Sequence, residues 1–136
     1  MFKKIFAFFL FLLSLLALIN FKYYNNASVF KDESNLSLYA SKNSSRIVLL
    51  QNNDFLRTIK AETCTFSRQE FDLEQVLNKY DARLVGIEKI DEGINYYCFS
   101  EKIKNSQTVG NLKVNLHIFV GNSIVKLGSP YIYDGY

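Results

Sequence analysis

The hydrophobic positions form one long run at the N-terminus and shorter periodic patterns in the second half of the chain. Ile5 to Ile19 is apolar except for Ser14, and Lys3 and Lys4 precede it. A short basic segment followed by an apolar run is typical of a signal peptide or a membrane anchor. A helix of this length spans about 22 Å, against about 30 Å for a bilayer core. Residues 1–20 are therefore predicted to target the membrane and to place the rest outside the cytoplasm.

Two fates of this helix are consistent with the pattern. A signal peptidase needs small residues spaced as in Ala-x-Ala, and only Ala27 offers one before a cut. Asn25 is a poor partner for Ala27, whereas Phe21 and Tyr24 can lengthen a span and sit at its interface. An anchor is favoured over a cleaved signal. The chain is then either membrane-anchored and facing the outside of the cytoplasm, or secreted.

A polar stretch separates the apolar run from the periodic patterns. Residues 21–45 are rich in Asn, Ser and Lys, and we interpret them as a linker that can hold a short strand near Leu36–Ala40. Residues 46–136 are interpreted as a single small domain. It opens with two runs of strand-forming residues, at Ile47–Leu50 and Phe55–Phe66.

One amphipathic helix is predicted in this domain. Ser67 and Glu70 have the spacing of a capping box, in which the serine hydroxyl and the glutamate carboxylate satisfy each other's backbone amides. The helix should run to about Tyr80 and bury a stripe on one side. That stripe consists of Phe71, Leu73, Val76, Leu77 and Tyr80.

Two hairpins follow the helix. Ala82–Ile90 and Ile94–Ser100 flank a three-residue turn ending in glycine, which pairs Ile87 with Tyr97 and places Val85, Ile87, Tyr97 and Phe99 on one face. The second hairpin turns at Gly121-Asn122, and its alternation directs one set of side chains inward, namely Val114, Leu116, Ile118, Val120, Val125 and Leu127. The order of elements predicts an α+β fold. It is an antiparallel β-sheet of five to seven strands with one helix packed on one face, after the N-terminal hydrophobic helix.

Charge excludes one class of partner. The chain carries a formal net charge of +3, and Lys3 and Lys4 belong to the targeting segment. The remainder is close to neutral, so no basic footprint for nucleic acid is expected. The expected partners are the membrane, through residues 1–20, and an envelope protein or wall component.

Candidate chemistry is sparse. His117 is the only histidine, and the alternation places it on the outward face as a surface residue. Cys64 and Cys98 are the only cysteines, and they form either a disulfide in an oxidising compartment or two free buried thiols. The acids, serines and glycines lack the spacing of catalytic or nucleotide-binding motifs, so no catalytic residue, metal or cofactor is expected. Phe119 and Ile124, paired across the second hairpin, are the candidate interaction patch.

The C-terminal half resembles the YwmB-like family of bacterial exported proteins, which has a TATA-box-binding-protein-like fold. The resemblance rests on Ile94–Ser100, on Val114–Ile118 and on the ending Val125–Tyr136. It implies an N-terminal signal or anchor, a curved antiparallel sheet and a helix. It implies no DNA binding, because a fold does not carry function, and the family offers no catalytic residues.

These observations favour a non-catalytic, extracytoplasmic cell-envelope protein with a small binding domain. A partner would add to a strand edge or dock on the sheet. The alternative is a small secreted enzyme or enzyme inhibitor that uses Cys64 or Cys98.

Overall fold

The computed structural model describes residues 2–43, 46–49, 59–133 and 135. Residues 50–58, which include the start of the strand predicted at Phe55–Phe66, lie outside the described residues. In chain order the elements are α1 (Phe2–Ala27), β1 (Leu36–Asn43), β2 (Arg46–Leu49), β3 (Ile59–Ser67), a 3₁₀ turn (Arg68–Glu70), α2 (Leu73–Tyr80), β4 (Ala82–Ile90), β5 (Gly93–Ser100), β6 (Gln107–Val109), β7 (Leu112–Val114), β8 (Leu116–Gly121) and β9 (Ile124–Ser129).

Within the described residues, seven strands form one antiparallel sheet in the order β2-β1-β3-β9-β8-β5-β4. The α+β architecture predicted from the sequence is thereby confirmed. Strands β6 and β7 form a separate small hairpin. The polar composition between β5 and β8 gave no sign of it.

The core lies between the sheet and α2. The predicted inward residues of β8 and β9 are buried there, together with Phe30, Cys64, Cys98 and Ile103. The whole predicted stripe packs against this cluster, that is Phe71, Leu73, Val76, Leu77 and Tyr80. The hydrophobic periodicity therefore identified the correct side of the helix.

The predicted capping box is wrong, and the helix begins later than expected. Ser67 precedes the 3₁₀ turn and makes no side-chain cap hydrogen bond, and Glu70 ends that turn. Asp72 caps α2 instead, since its carboxylate accepts from the amides of Glu74 and Gln75. Phe71 lies between the 3₁₀ turn and Asp72. Its backbone is extended and it packs against the core, so one continuous helix cannot start at Ser67.

The β4–β5 hairpin differs from the prediction by one residue. Ile90 pairs with Gly93, so the turn has two residues, and Ile87 lies opposite Tyr96 rather than Tyr97. A one-residue shift exchanges the two faces of a strand. Tyr96 packs on the core, and Tyr97 lies on the other face, against His117 of β8. A Cβ atom at Gly93 would lie 2.3 Å from the Val120 carbonyl oxygen. This glycine, which begins β5 and is not part of the turn, therefore permits the close approach of β8.

The β8–β9 hairpin differs by two residues. Val120 pairs with Val125 and Phe119 pairs with Lys126, so Phe119 and Ile124 are not opposite each other. A two-residue shift keeps every side chain on its predicted face, which is why the inward set was still correct. The Ser123 carbonyl accepts from the Arg68 amide, and this contact holds the wider turn against the start of the 3₁₀ turn.

The N-terminal helix connects directly to the folded domain. The Phe2–Ile19 part of α1 is 0% buried. Immediately after α1 ends at Ala27, Ser28 and Phe30 are buried in the domain. The strand suggested near Leu36–Ala40 is confirmed as β1, which pairs with both β2 and β3. Of residues 21–45, interpreted from the sequence as a linker, the structure places 21–27 in α1 and 36–43 in β1.

Candidate functional site: a lysine-lined cleft beside the N-terminal helix

Residues 28–33, here called the strap, join α1 to the domain. The carboxylate of Glu62 on β3 holds the first part of the strap. It accepts hydrogen bonds from the Ser28 hydroxyl (2.9 Å), the Val29 amide (2.9 Å) and the Phe30 amide (3.1 Å). Burial raises the pKa of Glu62, and the three donors act in the opposite direction. A buried carboxylate thus organises the chain where the apolar helix ends.

The other end of the strap is fixed to α2. The Glu33 carboxylate accepts from the Tyr80 hydroxyl at 2.9 Å and forms an ion pair with Lys79. The buried Phe30 ring meets the Tyr80 ring edge-on, with centroids 5.6 Å apart. The strap therefore bridges β3 and α2 and closes one end of the core.

A cleft of about 550 Å³ opens beside the strap, here called the strap cleft. Four lysines from three parts of the chain line it: Lys60 on β3, Lys79 on α2, and Lys102 and Lys104 after β5. Lys79 pairs with Glu33, and Lys102 pairs with Asp81 at 3.1 Å. Among the described residues, Lys60 and Lys104 have no ion-pair partner. No described acidic side chain therefore competes with a ligand for these two ammonium groups.

The strap cleft also has an apolar part. Val29, Ile59 and Ile103 contribute to its lining, and Ile103 belongs to the hydrophobic core. Glu62 lies in the lining as well, but its carboxylate oxygens already accept hydrogen bonds from the strap. Lysines beside aliphatic side chains suit an amphiphilic ligand with a negative group.

His117 is not the surface residue that the sequence predicted. It points away from α2 as the alternation required, but it is completely buried because the C-terminal segment covers that face. Its ring stacks on Tyr97 (4.9 Å between centroids) and on Tyr131 (4.3 Å). The sequence predicted a helix over one face of the sheet, but it did not predict that the C-terminal segment covers the opposite face.

Both ring nitrogens of His117 are engaged. Nε2 contacts the Asn95 amide oxygen at 3.0 Å, and Nδ1 accepts from the Ile132 amide at 3.3 Å. Desolvation lowers the pKa of His117 to about 4, although the charge of Glu88 acts to raise it. A neutral ring with both nitrogens bonded is a structural link rather than a general base.

Glu88 extends the network to the surface. Its carboxylate accepts from the Tyr97 hydroxyl at 2.6 Å and from the Asn95 side-chain amide at 3.1 Å. These two bonds lower the pKa of Glu88. The chain of contacts thus ties β4, β5 and β8 to the C-terminal segment.

The two cysteines are free and buried, so of the two alternatives that the sequence left open the structure has the free thiols. Cys64 lies on β3 and Cys98 on β5, with β9 and β8 between them. Three strand spacings separate them by about 14 Å, far beyond the reach of a disulfide. Burial raises the pKa of the Cys98 thiol to about 12, and the pKa of Cys64 is raised as well, again chiefly by burial. Neither thiol is prepared to act as a nucleophile.

The predicted interaction patch does not form. Phe119 is only 2% exposed, and its ring covers Gly93 and Gly121, while Ile124 is 37% exposed at the start of β9. No metal-binding group of three His, Cys, Asp or Glu occurs among the residues that the structure describes.

Comparison of the chain with protein-family models, with curated proteins and with solved structures finds no match.

Proposed function

We propose that the chain is a membrane-tethered, extracytoplasmic binding module of the cell envelope, with the strap cleft as its binding site. The observation that carries this proposal is the direct junction between an exposed apolar helix and a cleft. Phe2–Ile19 has a mean hydropathy of 2.3, and it is long and apolar enough to cross a membrane. The lining of the strap cleft starts at Ser28, the first residue after α1.

The orientation follows from charge. Lys3 and Lys4 precede the apolar segment, and positive residues stay on the cytoplasmic side. The domain then lies on the other side. The similarity to the YwmB-like family of bacterial exported proteins stays a prediction that agrees with this placement.

Binding is favoured over the enzyme alternative because of the state of the candidate nucleophiles. Cys64 and Cys98 are buried, and burial raises the pKa of each thiol. His117 is enclosed by the C-terminal segment and bonded at both nitrogens. The strap cleft, by contrast, is lined by the exposed side chains of Lys60 and Lys104, which form no ion pair within the part of the chain that the structure describes.

Fractionation of the host cells tests the tether. We expect the full-length mass in the membrane fraction, resistance to carbonate extraction, and digestion of the domain by protease added to intact spheroplasts. A matched variant, Lys3→Glu with Lys4→Glu, should lose this orientation because it removes the positive residues before the span. A shortened mass in the medium would show that α1 is a cleaved signal. Protection of the wild-type domain in intact spheroplasts would disprove the extracytoplasmic placement.

A further inference from the structure

We propose that the ligand of the strap cleft is the phosphate headgroup of an anionic phospholipid in the membrane that holds α1. This proposal rests on the proposed function, because it needs the cleft at the membrane surface. Three properties of the strap cleft support this ligand: exposed lysines, aliphatic side chains in the lining, and a position at the end of the membrane helix.

The positive charge of the strap cleft is local, and the net charge of the chain does not reveal it. The exported part of the chain is close to neutral. Four lysines nevertheless line the strap cleft, and among the described residues acidic side chains pair with two of them, Glu33 with Lys79 and Asp81 with Lys102. Lys60 and Lys104 are both exposed, and neither forms an ion pair with any of the described residues, so their ammonium groups can reach a phosphate.

The aliphatic wall favours a lipid over a soluble phosphate. Val29, Ile59 and Ile103 line the same cleft as the lysines. A free phosphate would leave this wall in contact with water. The glycerol backbone and first methylenes of a lipid would cover it.

The position of the cleft puts headgroups within reach. The apolar segment ends at Ile19, and α1 continues helical to Ala27. That continuation rises about 12 Å. The headgroup layer occupies about 5–8 Å of this distance on each side of the bilayer. The cleft therefore opens within a few ångströms of the headgroups, and helix tilt brings it closer.

Glu62 does not oppose an anion as a free carboxylate would. Three donors from the strap already hold its oxygens, and burial raises its pKa. Each approaching phosphate would therefore meet the lysine ammonium groups at the open side of the cleft, with Glu62 enclosed behind the strap.

Native mass spectrometry of the full chain, released from uncharged maltoside micelles, tests the proposal. The probes are dioctanoyl phosphatidylglycerol, dioctanoyl phosphatidylcholine and soluble glycerol 3-phosphate. We expect one tight phosphatidylglycerol adduct and much weaker binding of the other two. Lys60→Gln with Lys104→Gln should weaken that adduct about tenfold or more, given the usual contribution of a lysine near an anionic surface.

Two matched variants separate the cleft from general charge. Lys89→Gln with Lys113→Gln removes the same charge from exposed positions outside the strap and the cleft and should change the affinity less than about twofold. Lys60→Arg with Lys104→Arg should retain binding if the charge is what matters. Equal losses in the two glutamine pairs would overturn the proposal. So would equal binding of phosphatidylcholine, or of glycerol 3-phosphate, which would indicate a soluble phosphate or wall polymer. The micelle experiment does not depend on orientation in cells, so its failure is distinguishable from failure of the tether.

Discussion

Ser28 donates its hydroxyl hydrogen to the carboxylate of Glu62, 34 residues later in the chain, at 2.9 Å. This bond joins the residue that follows the N-terminal helix to a strand in the middle of the sheet. The neighbouring amides of Val29 and Phe30 bond to the same carboxylate. One acidic side chain thus determines where the apolar helix meets the domain.

Removing this acceptor should release the strap. Glu62→Ala leaves the Ser28 hydroxyl and two backbone amides without their partner, and we expect a loss of about 1–3 kcal/mol in unfolding free energy. Hydrogen exchange should report the local effect, with faster exchange at the Val29 and Phe30 amides. Glu92→Ala, in the exposed β4–β5 turn, is the matched control and should leave both amides protected. Unchanged exchange in Glu62→Ala would contradict the role given to this carboxylate.

Glu62→Gln separates the charge of this side chain from its hydrogen bonds. The amide oxygen of glutamine can still accept from the strap, so we expect the variant to remain within about 1 kcal/mol of wild type at neutral pH. Burial raises the pKa of Glu62 in the folded state, so the folded chain takes up this proton before the unfolded chain does. Wild type should therefore gain stability relative to Glu62→Gln as the pH falls through that raised pKa. Thermal melts of both proteins across pH measure this difference, and a relative loss for wild type would contradict it.

The cysteines should behave as buried free thiols. Intact mass without reductant should show no disulfide, because Cys64 and Cys98 lie on strands separated by two others. Iodoacetamide should label neither residue in the folded protein and both after denaturation, since burial raises both pKa values. Cys64→Ala and Cys98→Ala should each remain unlabelled at the other thiol. Rapid labelling of native protein would revive the thiol-enzyme alternative, and a disulfide would contradict the strand order.

The fold was predictable where hydrophobic periodicity determines it. Alternation in β8 and β9 identified the inward residues even though the hairpin register was displaced by two. The β4–β5 register was not predictable in this way, because the turn motif places Gly93 in the turn, whereas Gly93 begins β5 and lies against the Val120 carbonyl. A single sequence does not show which backbone a glycine must approach.

The candidate site was not predictable, because its parts lie far apart in the chain. Lys60, Lys79, Lys102 and Lys104 follow no common period, and only the sheet order and the strap bring them together. The burial of His117 was missed for a similar reason. The predicted outward direction of its side chain was correct. The C-terminal segment that covers it forms no strand at 131–133, and no periodic pattern predicts where such a segment folds.

The start of α2 provides a direct test of the revised helix cap. Asp72→Ala removes the side-chain acceptor for the Glu74 and Gln75 amides and should cost about 1 kcal/mol. Ser67→Ala should change stability by less than about 0.5 kcal/mol, because its hydroxyl makes no cap hydrogen bond. Asp72→Asn should recover much of the loss, since asparagine is also a good cap. Thermal unfolding of the three variants measures the order. A larger loss for Ser67→Ala would restore the capping box.

His117 should make stability fall in mild acid. Burial lowers the pKa of His117 to about 4 in the folded state, against an ordinary value of 6.5. Above pH 6.5 the ring is neutral in both states, and its stabilising contribution is complete. As the pH falls toward 4 the unfolded chain binds the proton first, so the folded state loses up to about 3 kcal/mol. Protonation of Nδ1 also removes the acceptor of the Ile132 amide.

The pH dependence can be assigned to this ring by two measurements. Proton NMR of the single histidine should show no titration until the pH approaches 4. In chemical unfolding at pH 7, His117→Gln should be less stable than wild type. The difference in unfolding free energy between the two proteins should become smaller as the pH falls from 6.5 to 4. Protonation of Glu62 changes stability in the opposite direction. The effect of His117 is therefore obtained from the difference in unfolding free energy between wild type and His117→Gln at each pH. A histidine midpoint near 6.5, or a gap that stays constant, would show that the ring is solvated and that the C-terminal segment does not enclose it.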